Sequence, residues 1–182
     1  ELEAWWCDPA RVIPRVEAGL GDATYLGDAY PHHFVNLGPG ALAAFMGCRS
    51  VPMPQTIWQE PLIGDWSEAP PLVLHEDSRY WQAAQALTRE SLAASGGRWM
   101  VSLTDIGGTL DITSYFRTPE VLCMDLVEHP DDVRRCEKAV FDAWFQVYER
   151  VYKPISAETG GACGWMGMWY PGRTYPLQCD FS

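Results

Sequence analysis

Apolar residues return at helical spacing in long stretches of this chain and at strand spacing in short ones. The clearest helix runs from about Asp77 or Ser78, either a good cap, to Ser95, with Tyr80, Trp81, Ala84, Leu87 and Leu92 on the 3.6-residue period and Gly96-Gly97 closing it. Pro130-Asp131-Asp132 opens the longest helix, expected to reach Tyr152. Its apolar stripe is Val133, Cys136, Val140, Trp144, Val147 and Val151, opposite Arg134, Arg135, Lys138 and Glu149. Shorter helices are expected over 109–116, after Gly107-Gly108, and from Thr118-Pro119-Glu120, with threonine as cap and proline first. At the front, 5–20 reads as a helix interrupted at Pro14, 21–40 as a long glycine- and proline-broken loop, and 41–46 as a short helix stopped by Gly47. Residues 51–63 read as a proline-broken extended stretch. Strands are expected at 72–75, 98–103, 163–169 and 177–180, the last two also readable as one interrupted strand.

Strands alternating with helices favour a parallel α/β sheet with crossover helices at 78–95 and 131–152; an antiparallel α+β arrangement is the competing reading. In open and barrel α/β folds, chemistry gathers at the carboxyl ends of strands. Thr104-Asp105 and Asp180 hold that position.

Charge narrows the function. The net charge of −11 argues against a nucleic-acid partner and, more mildly, against a polyanionic substrate. No apolar run is long enough for a membrane span, and no signal peptide is visible. The six cysteines form no C-x-x-C pair and fit no zinc spacing, which favours reduced thiols, with Cys123 and Cys136 on apolar helical positions, in a cytoplasmic protein. The chain begins at Glu1 and stops just after a strand-like run. We therefore expect residues 1–182 to be a single partial domain, an internal piece of a longer protein.

The run Asp105-Ile-Gly-Gly-Thr-Leu110, the helix starts Pro119-Glu120 and Pro130-Asp131-Asp132, and the ending Cys179-Asp180-Phe181-Ser182 occur in an order that resembles the uroporphyrinogen decarboxylase superfamily, which includes the corrinoid methyltransferases. The segments WWCDP and NLGPGALAAFMGC resemble an uncharacterised bacterial branch of it. The resemblance implies part of a (β/α)8 TIM barrel, lacking its N-terminal and C-terminal portions, and an enzyme. It also departs from the decarboxylases: Gly107-Gly108 stand where they carry Pro-Trp, and their Arg-x-x-Gly-Arg-Tyr segment is absent. The methyltransferases' His-x-Cys…Cys zinc ligands would lie past Ser182. Three functions stay open: a methyltransferase-like enzyme acting on a small methylated or aromatic substrate, with zinc and a corrinoid partner protein in the full-length chain; uroporphyrinogen decarboxylation, a lyase reaction; and a non-catalytic ligand-binding barrel.

Candidate residues follow from position and chemistry. Asp105 and Asp180 are the candidate catalytic carboxylates, as acid/base or substrate-orienting groups. For each the alternative is structural: a cap on the Gly107-Gly108 turn for Asp105, a salt bridge for Asp180. Gly107 and Gly108 let a ligand approach the backbone, or simply make a turn. Trp165, Trp169, Tyr170 and Tyr175 suit a pocket wall for rings, methyl groups or cations, or ordinary packing. Arg173, in a Pro-Gly-Arg loop, suits an anion clamp or a surface arginine. Trp58 and Glu60 lie near where the resemblance puts the decarboxylases' substrate-binding aspartate. Adjacent His32-His33 raise metal binding, but no second ligand cluster supports it. At a barrel mouth, Asp105, Asp180 and at least two of Trp58, Trp169, Tyr170 and Arg173 should share one cleft.

Overall fold

Two caps set the entrance to the chain in the computed structural model, which describes residues 1–178. Helices α1 (Leu2–Cys7) and α2 (Pro9–Gly21) meet at Asp8, whose carboxylate accepts from the Ala10 amide while Pro9 takes the first helical position. The break was expected at Pro14. It falls at Asp8-Pro9 because a side-chain cap and an N-terminal proline coincide there, whereas Pro14 removes one bond inside a helix that continues.

Six short strands follow in two sheets. The main sheet has the order β1 (His32–Phe34), β4 (Met100–Ser102), β5 (Gly161–Cys163), β6 (Trp169–Pro171). A separate antiparallel hairpin is made by β2 (Ser50–Pro52) and β3 (Ile57–Gln59). β1 pairs parallel with β4, His33 opposite Val101, and β4 pairs parallel with β5, Ser102 opposite Cys163. The antiparallel α+β alternative is thereby removed for these strands. The parallel strands are neighbours in sequence order, linked by helical crossovers, and their central residues are fully buried. Among the described residues the sheet is open, and no barrel closes.

The expected crossovers are present. Helix α4 (Arg79–Ser95) is capped by Ser78 and closed by left-handed Gly96. It buries Trp81, Ala84 and Leu87 and packs on β4. Helices α5 (Thr109–Arg117) and α6 (Pro119–Glu128) meet at one residue, Thr118. Helix α7 (Pro130–Thr159) packs its stripe on β4, β5 and α4 and runs past Pro154, beyond the expected end at Tyr152, to Gly160 at φ +71°. The short α3 (Ala41–Phe45) is buried throughout.

Three strand expectations need correction. The 21–40 stretch contains β1: three residues are enough, because a parallel neighbour supplies the hydrogen bonds, and Pro31 and Gly38 mark its flanks rather than excluding it. Residues 72–75 form no strand; the His75 amide bonds instead to the Phe45 carbonyl at the end of α3. The 163–169 stretch is two strands, not one. Gly164 to Gly167 form a turn, with Gly167 at φ +71° donating to the Gly164 carbonyl, so β6 returns antiparallel along β5. Of the expected strand at 177–180, residues 177–178 are not in a strand, and 179–180 lie outside the described residues.

Candidate active site

Beyond the carboxyl ends of the three parallel strands the chain turns each time around the same space. Pro39 follows β1, Asp105 and Gly107 follow β4, and Trp165 follows β5; all four line a cavity of about 780 Å3. Trp58, Gln59 and Pro61 of the β2–β3 hairpin form another wall. Asp111, Ser114 and Tyr115 face it from α5, and Thr118, Pro119 and Cys123 from the α5–α6 junction. Tyr175, Pro176 and Gln178 complete the lining. The volume is in the range of small-molecule sites.

Asp105 is fixed by its turn and by the returning C-terminal segment. Its Oδ1 accepts from the Tyr175 hydroxyl at 2.7 Å and from the Gly107 amide at 3.0 Å. That hydroxyl also accepts from the amides of Ile106 (2.7 Å) and Gly107 (3.1 Å). Burial, and then the Asp105 charge beside it, push the Tyr175 phenol well above its ordinary range, so it stays protonated and donates.

Helix α7 holds this returning segment in place. The Trp144 indole donates to the Gly107 carbonyl at 2.9 Å, and the Tyr148 hydroxyl to the Thr174 carbonyl at 2.8 Å. Trp144 and Tyr148 stack with 7° between their planes, and Tyr175 stands edge-on to Trp144 at 5.1 Å. The Trp165 indole donates to the Pro176 carbonyl at 2.9 Å.

Of the two glycines of the turn, Gly107 is required by its backbone conformation and Gly108 by the close approach of a side chain that could move aside. Gly107 has φ +63°, a conformation that strains any residue with a Cβ. At Gly108 a Cβ would sit 2.9 Å from Asp111 Oδ2, so its absence lets that carboxylate lie against the turn.

No family model, no curated protein and no solved structure matches this chain.

Of the candidates, Asp105, Gly107, Trp58 and Tyr175 line the cavity, and Gly108 abuts it through Asp111. Asp180 lies outside the described residues. Glu60 is outside the lining and pairs with Arg49. Trp169 and Tyr170 are also outside it, partly exposed on β6, where the antiparallel return carries them away from the rim. Arg173 bonds Glu149 at 2.6 and 3.1 Å and lies over the Tyr152 ring, so it braces α7 rather than clamping an anion in the cavity. The expected convergence is not met: of Trp58, Trp169, Tyr170 and Arg173 only Trp58 shares the cavity with Asp105, where at least two were expected.

The histidines serve the fold. His33 Nδ1 lies 2.8 Å from Ser91 Oγ, which also accepts from the Trp99 indole. Burial, with His32 and Arg15 nearby, lowers its pKa to about 4. His32 packs on the Gly167 turn. Among the described residues, no group of three or more His, Cys, Asp or Glu is placed to hold a metal ion, and no helix is long and apolar enough to cross a membrane.

Asp111, Tyr115, Gln59 and Cys123 escaped sequence reasoning. Asp111 and Tyr115 carried a usable signal: they stand four apart, one face of the helix that follows a strand-end Gly-Gly turn. Cys123 was expected buried with Cys136; it is exposed at the cavity wall, while Cys136 is buried.

Proposed function

We propose that this chain is part of a uroporphyrinogen-decarboxylase-like barrel enzyme that acts on a small methylated or aromatic substrate, with Asp105 as its acid/base or substrate-orienting group. The observation that carries the reading is the shared rim: turns after the three parallel strands β1, β4 and β5 enclose one cavity, with a hydrogen-bonded carboxylate on its wall. Three parallel strands with crossover helices packed against them are compatible with a segment of such a barrel, whereas β6, antiparallel to β5, is a return strand that a regular barrel lacks.

Within the methyltransferase-like branch, the bond from methyl to its donor heteroatom breaks and the electron pair stays on the heteroatom. A proton donor or a fixed dipole beside that atom eases the departure. In this site Asp105 serves by orienting the substrate: the Tyr175 phenol spends its one hydrogen on Asp105 and, with the Gly107 amide, fixes the carboxylate, so the proton for the departing group comes from solvent. Trp58, Tyr115 and Trp165 supply faces that hold a methylated or aromatic group. A corrinoid carried by a partner protein is the methyl acceptor this reading implies. The described residues offer no zinc site, and no step is assigned to one.

Uroporphyrinogen decarboxylation is the weaker reading. Its substrate carries many carboxylates, and the cavity lining contains aspartates but no arginine, lysine or histidine among the described residues. The test is turnover. The protein is incubated with small methylated donors and cob(I)alamin, and separately with uroporphyrinogen, and products are read by mass spectrometry. We expect demethylated donor from the wild type and a loss of roughly hundredfold or more in Asp105→Asn, with a melting temperature lowered by only a few degrees. Carbon dioxide released from uroporphyrinogen would select the second reading. Ligand binding without turnover of either kind would select a non-catalytic barrel.

A further inference from the structure

We propose that Trp144 is a positioning residue for Asp105: this one side chain of α7 sets both of the groups that hold the carboxylate. The proposal rests on the reading of Asp105 as the group that orients the substrate, and goes further by naming what fixes its aim.

Asp105 is held by two arms. One is the turn that follows it, where the Gly107 amide donates to Oδ1 at 3.0 Å. The other is the returning segment, where the Tyr175 hydroxyl donates to the same oxygen at 2.7 Å. The arms lie 68 residues apart in sequence, so no local geometry relates them. Trp144 touches both. Its indole N–H donates to the Gly107 carbonyl at 2.9 Å, and its ring meets the Tyr175 ring edge-on, 5.1 Å between centroids and 84° between planes. The arms are also bonded to each other, because the Tyr175 hydroxyl accepts from the Ile106 and Gly107 amides. A displacement of Trp144 therefore moves both donors to Asp105 together.

Helix periodicity explains why Trp144 keeps its place. Trp144, Tyr148 and Tyr152 stand four residues apart on α7 and share one face. Their rings run nearly parallel, with 7° and 8° between planes and centroids 5.2 and 5.7 Å apart. The returning segment lies along this face in the opposite direction, with one contact per helical turn. Arg173 lies over Tyr152, the Thr174 carbonyl accepts from the Tyr148 hydroxyl, and Tyr175 abuts Trp144. The ladder fixes the register of the segment, and Trp144 is the rung that reaches the site. Phenylalanine at 144 would keep the stack and lose the N–H donor. A misplacement of about 1 Å in an orienting group costs on the order of a hundredfold in rate.

Trp144→Phe tests this through the Tyr175 hydroxyl hydrogen. In the wild type, that hydrogen should give a downfield proton resonance, assigned by its absence from Tyr175→Phe. We expect Trp144→Phe to broaden it away at a temperature where the variant is fully folded. Tyr148→Phe loosens the segment one rung further on and leaves Trp144 in place, and it should keep the signal. With the methylated donor of the assay above, kcat should fall at least tenfold in Trp144→Phe while KM stays within twofold, a split that loss of folded protein does not produce. Should Trp144→Phe not fold, Tyr175→Phe asks the question from the other side: the Trp144 indole hydrogen should exchange with water at least fivefold faster there. Four results would overturn the proposal: no hydroxyl signal in the wild type, a signal kept in folded Trp144→Phe, equal loss in Tyr148→Phe, or unchanged indole exchange in Tyr175→Phe. These signals are read whether or not any donor is turned over, so failure of the enzyme reading and failure of the positioning are told apart.

Discussion

Asp105 and Asp125 are both oriented by hydrogen bonds of 2.6–3.1 Å, yet their surroundings put them to different uses. Asp125 is 3% exposed and takes two bonds from the Arg117 guanidinium, which holds its carboxyl below the usual range. Arg117 completes its donors on the carbonyls of Ile63 and Gly64 and lies 5.0 Å from the Trp66 ring. That carboxylate is sealed inside a latch tying the α5–α6 junction to the 62–66 segment. Asp105 takes bonds from the neutral Tyr175 hydroxyl and Gly107 amide and stands on a cavity wall. The residue type is the same; what differs is whether protein or open space lies on its far side.

The largest expected effect breaks the comparison if it fails. Asp125→Asn leaves the Arg117 cation buried without its counter-charge, and should cost about 3–5 kcal/mol in urea denaturation. Asp105→Asn keeps the shape and should cost about 1–2 kcal/mol, with loss of turnover. Equal destabilisation by the two substitutions would make Asp105 a structural carboxylate as well.

Tyr175→Phe should come next. It removes one hydroxyl that donates to Asp105 and accepts from two amides; Gly107 keeps its bond to Asp105, and Ile106 loses this one. A loss of about 1–3 kcal/mol is expected, together with weaker ligand binding. A fully stable variant with normal affinity would mean that the returning segment does not orient Asp105.

His33 supplies a third polar group, remote from the cavity, and a pH signature. Its folded pKa of about 4 lies below the ordinary 6.5, so the unfolded chain binds its proton first as pH falls. The stability it contributes is present above about pH 6.5 and is lost toward pH 4. Between pH 7 and pH 5 the loss is about 2 kcal/mol, and His32, lowered by burial, acts in the same direction. His33→Gln should flatten this stretch of the stability–pH curve. An unchanged slope in the variant would place the effect elsewhere.

Helices α4 to α7 were legible because their caps and apolar periods agree: Ser78, Thr118 and Pro130 start them where expected and Gly96 closes α4 at left-handed φ, while the end of α7 was missed because the helix runs through Pro154 to Gly160. The three-residue strands were harder. β1 draws its hydrogen bonds from a partner near residue 101, which no local window contains, and β5 and β6 are separated by a turn whose Trp165 and Met166 read as strand residues. In the site, strand-end position found Asp105, aromatic composition found Tyr175 and Trp165, and only the family resemblance pointed to Trp58. Trp169, Tyr170 and Arg173 share that composition, but one reversal of chain direction at Gly164–Gly167 sends the two aromatics to an edge strand, and Glu149 captures the arginine.

The smallest effect concerns Thr118, the single residue between α5 and α6 and a part of the cavity wall. Its φ of 78° and ψ of 148° lie in a region essentially reserved for glycine, at a cost of about 1–3 kcal/mol. The junction imposes this. The Thr118 amide still donates to the Ser114 carbonyl at the end of α5, while its Oγ1 accepts from Val121 at the start of α6, so one residue must both close a helix and open the next. Thr118→Gly relieves the strain, costs only a few tenths of a kcal/mol for the lost 3.4 Å cap bond because glycine is itself a tolerated cap residue, and adds about 0.5–1 kcal/mol of unfolded-state entropy. The net should lie between no change and a gain of about 1 kcal/mol. Thr118→Ala keeps the strain and loses the cap, and should cost about 1 kcal/mol. Glycine and alanine should therefore move stability in opposite directions from threonine, or at least stand about 1 kcal/mol apart. If glycine destabilises as much as alanine, the threonine side chain holds the junction through packing and the backbone there is not strained. If glycine stabilises and also lowers turnover, the strained junction belongs with Asp105 among the features that shape the cavity, rather than with the Arg117–Asp125 latch beside it.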